Sequence, residues 1–199
     1  MRLVLRLAAH EVRLLTSLVR WVARRPHLAG GRAFGYARGE GAVLFGFAFV
    51  CVVETFTMSV LLRGWPTVHA VVLFLDVYTV VVVIGLHAAS VVRPHLLEAD
   101  ALRVRYAAHV DLRIPLAAVS GVRRELRTSP GRRAGELDVA VGHRTSVTLE
   151  LAEPVTHVTF LGQRREVTVV RLHADDDALL VAELTRARNG SSPIPGRPG

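Results

Sequence analysis

Two carboxylates stand inside runs that otherwise carry little charge: Glu54 within residues 41–62 and Asp76 within residues 67–92. Acids in such surroundings usually turn toward the interior of a helix bundle and are often functional. Counted outward from the polar break Arg63-Gly64-Trp65-Pro66, each lies about two and a half helical turns in. At ~1.5 Å per residue the two therefore share a depth. One carboxyl can donate to the other carboxylate, leaving the pair a single charge, or both can be neutral and bonded to Thr55, Thr57 or Thr79. The plainest role for such a pair is polar glue between helices. Proton or cation handling in a homo-oligomer, and recognition of a partner helix, are the alternatives.

A second set of residues is basic. Arg123, Arg124 and Arg127, then Arg132 and Arg133, then Arg164 and Arg165 fall on expected strand ends and loops. Each Arg near an anionic surface contributes about 1 kcal/mol, so these clusters are candidates to face lipid headgroups or a partner. The bland reading is a solvated surface, because all 25 basic residues other than His are Arg and no Lys occurs. That bias suggests a GC-rich coding sequence and a bacterial source, and it inflates the formal charge of +8 beyond what function requires.

No constellation for catalysis emerges. The nine His residues are scattered without His-Glu-x-x-His spacing, Cys51 is single, and neither fact suits a metal site or a disulfide framework. There is no Gly-x-Ser-x-Gly and no Gly-rich loop followed by Lys. The expectation is a protein that is not an enzyme and needs no cofactor. Nucleic acid is not expected as a partner either, since the arginines lack interleaved exposed aromatics and any known module.

The elements that must position these residues follow from hydropathy and periodicity. The chain is 199 residues long and 51% hydrophobic, with a mean hydropathy of +0.35. The excess is concentrated between Gly41 and Val92. Residues 41–62 and 67–92 are each long enough to cross a hydrocarbon core. A mid-helix Asp costs about 2.5–3.5 kcal/mol, whereas each Leu, Ile, Phe or Val returns roughly 0.3–0.6, so Asp76 does not forbid insertion. Arg20, Arg24, Arg25, Arg32 and Arg38 precede the first run and Arg93, Arg103 and Arg105 follow the second, against Arg63 alone between them. The positive-inside rule then puts both termini in the cytoplasm of a multi-pass inner-membrane protein.

Residues 1–25 place Arg2, Arg6, His10, Arg13, Ser17, Arg20 and Arg24 on one helical face, which predicts an amphipathic helix on the membrane surface. Packing on the chain's own globular part is the other option. Residues 26–40 read as a loop. After Arg93-Pro94 the pattern turns to period two: Leu102, Val104 and Tyr106 against Arg103 and Arg105, then Val110, Leu112 and Ile114, then Leu137, Val139 and Val141. Val147, Leu149 and Leu151 continue it, followed by Val158 and Phe160, then Val167 and Val169. An amphipathic helix with Leu180, Val181 and Leu184 closes the domain over 94–188. Residues 189–199 form a Pro/Gly/Ser tail expected to be disordered.

The stretch Ala101-Leu-Arg-Val-Arg-Tyr106, then Val110-Asp-Leu-Arg-Ile-Pro-Leu116, then Val119-Ser-Gly-Val-Arg-Arg124 resembles bacterial, actinobacterial-type membrane proteins with a transmembrane hairpin and a C-terminal pleckstrin-homology-like domain. In that family a strand ends in an Ile-Pro-hydrophobic step before an I/V-x-x-V strand, and Ile114-Pro115-Leu116 and Val119 to Val122 match it. The resemblance covers roughly residues 95–188. It implies a membrane α-helical hairpin plus an α+β domain, an antiparallel, partly open barrel closed by the C-terminal helix. It also implies a role in binding or scaffolding, with lipid headgroups or another membrane protein as partner. An oligomeric pore or transport component using Glu54 and Asp76 is the rival.

Overall fold

The computed structural model describes residues 2–23, 30–39, 41–107, 110–128, 133–159 and 162–191. Among the described residues are three long helices, two small sheets and a shorter closing helix. Helix α1 (Arg2–Val22) is followed by a short strand, β1 (Arg32–Phe34), and then by helices α2 (Gly41–Leu61) and α3 (Pro66–Val92). Pro66 opens α3 rather than closing the turn before it, because a proline at the first helical position loses no hydrogen bond. Both α2 and α3 are long and apolar enough to cross a membrane.

Strands β2 (His95–Leu97), β3 (Ala101–Tyr106) and β4 (Val110–Pro115) join β1 in an antiparallel sheet of order β1-β2-β3-β4. A 3-10 turn at Leu116–Ala118 leads to β5 (Val119–Thr128), β6 (Glu136–Val139), β7 (Arg144–Val158) and β8 (Arg164–Leu172). These form a second sheet of order β5-β7-β8-β6. Helix α4 (Asp177–Ser191) ends the described chain. One core lies between the sheets and α4, built from Leu102, Val104, Leu112, Ile114, Val147, Leu149, Val170, Leu172, Leu180 and Leu184. Alternation on β3, β4 and β7 delivers these side chains to one face.

Several expectations need correction. The strands do not close into a barrel; they form two separate four-stranded sheets. Nor is the domain wholly antiparallel, since β6 runs parallel to β8 with Leu137 opposite Val170 and Val139 opposite Leu172. Arg171 on β8 fixes that edge, donating to both carboxylate oxygens of Glu136 at 2.6 and 2.9 Å and to Asp138 at 3.3 Å. On β8 the inward parity changes: Val167 is buried, and then Val170 and Leu172, not Val169, face the core. A register irregularity opposite, between Glu150 and Val155 of β7, shifts it.

The segment read as a loop over 26–40 contains β1, and Phe34 and Tyr36 are buried in the domain. Three residues are too few to show a period, so only pairing with β2 makes this a strand. Helix α4 runs on to Ser191, past the start of the expected tail. Residues 24–29, Arg132, Phe160 and residues 192–199 lie outside the described residues.

Candidate functional site

The strand β3 is buried on both faces. Leu102 and Val104 turn into the core, while Arg105, on the opposite face, is only 1% exposed. What covers it is helical. The last turn of α3 leads into β2 after two residues, and α1 packs along the same part of α3. At this junction a cavity of about 280 Å³ is lined by Thr16, Ser17 and Arg20 of α1, Val92 and Arg93 at the end of α3, Arg103 and Arg105 of β3, and Asp111 of β4.

Its electrostatics are lopsided. Asp111 accepts Arg103 Nε and Nη2 at 2.6 and 3.0 Å and Arg93 Nη2 at 3.1 Å, while Arg105 Nε stands 3.9 Å away. Burial pushes the Asp111 carboxyl up, but the Arg103 bonds and the charges of Arg93 and Arg105 outweigh it and hold it below the usual range. Burial, with the neighbouring charge of Arg103, draws the Arg105 guanidinium below its ordinary value. Three arginines, Arg93, Arg103 and Arg105, thus surround the Asp111 carboxylate, and Arg20 of α1 lines the same cavity.

A polar layer backs the cavity. His95 is fully buried; its Nδ1 accepts the Arg105 backbone N–H at 3.1 Å and its Nε2 bonds the His173 carbonyl at 3.0 Å. Those partners fix the neutral tautomer with the proton on Nε2, and burial lowers its pKa to about 4. Tyr36 packs against His95 and Tyr106 at ring separations of 4.8 and 5.7 Å. Its hydroxyl accepts the Ala107 N–H at 2.9 Å, and burial raises its pKa. Together these contacts tie the segment after β1 to β2 and β3.

The two intrahelical acids are placed differently from each other. The Ser59 hydroxyl meets His69 Nε2 at 2.7 Å, and the Phe45 and His87 rings lie 5.0 Å apart. The antiparallel register of α2 and α3 that these contacts define sets Glu54 within a turn of the level of Asp76. No hydrogen bond joins the two among the described residues. Glu54 faces outward, and Asp76 is half-buried with its Oδ2 enclosed and without a hydrogen-bond partner. Thr55, Thr57 and Thr79 donate instead to their own helices, at Cys51, Val53 and Leu75 carbonyls.

The arginine clusters separate as well. Arg123 pairs with Glu150 at 2.7 Å, Arg124 with Asp177 at 3.0 Å, and Arg127 stands 3.9 Å from Glu125. Arg133 is exposed. Arg164 and Arg165 start β8 at the far end of β7, where Val158 pairs with Arg164, whereas Arg127 pairs with Thr145 near its beginning. Thirteen residues of strand at ~3.3 Å each put ~40 Å of contour between them, so they form no single patch. The arginines that do converge, Arg20, Arg93, Arg103 and Arg105, were legible only as flanking charge. Arg103 and Arg105 alternate on one strand face, the ordinary mark of a solvated side.

Comparison with family models, curated proteins and solved structures finds no match to this chain. Among the described residues no group of His, Cys, Asp or Glu could hold a metal ion.

Proposed function

We propose that this chain is a noncatalytic integral membrane protein. In this reading α2 and α3 cross the inner membrane as a hairpin, and the strand domain, pleckstrin-homology-like in character, sits beneath the cytoplasmic headgroups and binds anionic lipid. The observation that carries the reading is the junction: four arginines and one aspartate around a cavity at the last turn of α3.

Burial supports the membrane address. Ten large apolar side chains of α2, from Val43 to Leu61, are 41–73% exposed. Complete burial of each is worth about 1.5–3 kcal/mol, so half of that forgone in water would be on the order of 10 kcal/mol. A domain's entire stability is of that size, which makes hydrocarbon the fitting solvent. Orientation follows from Arg93, Arg103 and Arg105 at the domain end of the hairpin against Arg63 at the other. The two sheets under a C-terminal helix suit a pleckstrin-homology-like fold without barrel closure.

The test is the lipid that full-length protein retains when purified from its membrane in mild detergent. Anionic phospholipid should be enriched over the bulk composition; a retained pool with the bulk ratio would remove the lipid reading and leave a protein partner. A second reading, an oligomeric pore, draws on the outward Glu54 and the unsatisfied Asp76 Oδ2. It requires ion flux in reconstituted vesicles that disappears in Glu54→Gln and Asp76→Asn variants.

A further inference from the structure

We infer that α1 is a third membrane-embedded helix, whose outer apolar stripe is covered by the acyl chains of the cytoplasmic leaflet. The inference rests on the reading of α2 and α3 as a membrane hairpin and adds an element to it.

The orientation of α1 is the reverse of what water would select. Val12, Leu15, Val19 and Val22 are 51–73% exposed, and their steps of three and four stack them on one helical face. Ser17, on the opposite face, is buried, and with Thr16 and Arg20 it lines the junction cavity. A helix docked on a protein in water turns its apolar stripe inward and its polar residues outward. Here three valines and a leucine look out while a serine is enclosed, an arrangement suited to hydrocarbon as the surrounding solvent.

Register sets the depth. Glu11 accepts the Tyr78 hydroxyl at 2.6 Å, Leu14 lies over Gly85 and Trp21 meets His87. Residue numbers rise together, so α1 runs parallel to α3. Tyr78 precedes the end of α3 at Val92 by 14 residues, roughly 21 Å of helix, against a hydrocarbon core of about 30 Å. From the junction α1 therefore descends beside α3 well past the headgroups. At that depth a carboxyl needs a polar partner, and the Tyr78 hydroxyl supplies one to Glu11.

Continuity identifies what covers the stripe. Phe74, Leu75 and Val77 of α3 are exposed near the level of Glu11, so the stripe extends the apolar surface that the hairpin already presents to lipid. Among Val12, Leu15, Val19 and Val22 there is no small or hydroxyl-bearing residue of the kind through which a further helix approaches closely. That favours acyl chains over a second copy of the chain.

The experiment places a nitroxide label on full-length Cys51→Ala protein in vesicles of phosphatidylethanolamine and phosphatidylglycerol. The labelled variants are Val12→Cys, Leu15→Cys, Val19→Cys and Val22→Cys, with Phe74→Cys on α3 and Leu126→Cys on β5 as references, all at exposed positions. Collision with oxygen, which concentrates in hydrocarbon, and with a nickel chelate, which stays in water, gives the depth of each label. The four α1 labels should be open to oxygen and closed to the chelate, as Phe74→Cys is. Their depth should grow from Val22→Cys to Val12→Cys by about 10–15 Å, the length of ten helical residues less any tilt. Equal shallow depths at all four, or chelate access like that of Leu126→Cys, would make α1 a surface helix and overturn the inference; a deep Phe74→Cys would still uphold the hairpin. Chelate reaching the α1 labels and Phe74→Cys alike overturns both readings. Exclusion of oxygen and chelate together from the α1 labels overturns lipid as the cover and assigns the stripe to another protein chain.

Discussion

His95 links the polar layer behind the junction to pH. Enclosed between the Arg105 N–H and the His173 carbonyl, it has no acceptor for a second ring proton, and burial lowers its pKa from 6.5 to about 4. The unfolded chain therefore binds a proton there that the folded chain refuses. The contribution of His95 is fully present above pH 6.5 and is lost as pH falls toward 4, by about 3 kcal/mol at 1.36 kcal/mol per unit. Thermal melting of the purified protein should show this loss across that window, and His95→Gln should flatten it. Carboxylates held low by arginines, such as Asp111, add their own losses at still lower pH, so the difference between wild type and variant isolates the histidine. None of this was readable beforehand, because nine scattered histidines look alike until a fold buries one.

At the scale of elements, α1 is the piece whose place the amino-acid pattern left open. Its polar face suggested a helix on the membrane surface, but it packs on α3, with Leu14 buried and the Tyr78 hydroxyl donating to Glu11 at 2.6 Å. Trp21 meets His87 and Phe45 at ring separations of 5.8 and 6.5 Å. Gly85 makes the approach possible, since a Cβ there would stand 1.9 Å from Leu14 Cδ2 and 2.8 Å from its Cγ. Gly85→Val should undock α1, seen as a red shift and greater quenching of Trp21 emission, and Leu14→Ala in the same chain should restore the packing. The helices themselves were legible because length and apolarity suffice to define them. The strands β3, β4 and β7 were legible from strict alternation. What alternation could not reveal was the parallel β6–β8 pair or the parity change on β8, both of which depend on partners far away in the chain. The same blindness hid the site: Arg103 and Arg105 read as a wet face because the helices that cover them are 10 to 90 residues away.

For the whole molecule, the strand domain is fused to the helices rather than tethered. Strand β1 precedes α2, β2 follows α3, and the two pair with Phe34 opposite His95, so the hairpin begins and ends on neighbouring strands of one sheet. A fragment lacking residues 32–36 would therefore lose an edge strand, Phe34 and Tyr36, and full-length protein is the proper object for binding work. Held this way, the domain presents its junction, and not the tip of the β7–β8 hairpin, to the end of the proposed span. Hydrogen–deuterium exchange of the full chain in nanodiscs, with purely zwitterionic lipid compared against lipid containing an anionic fraction, tests this most directly. Anionic lipid should slow exchange in residues 12–22, 92–95 and 101–113. Protection confined to the hairpin around Arg164 and Arg165, or no change anywhere, would contradict it.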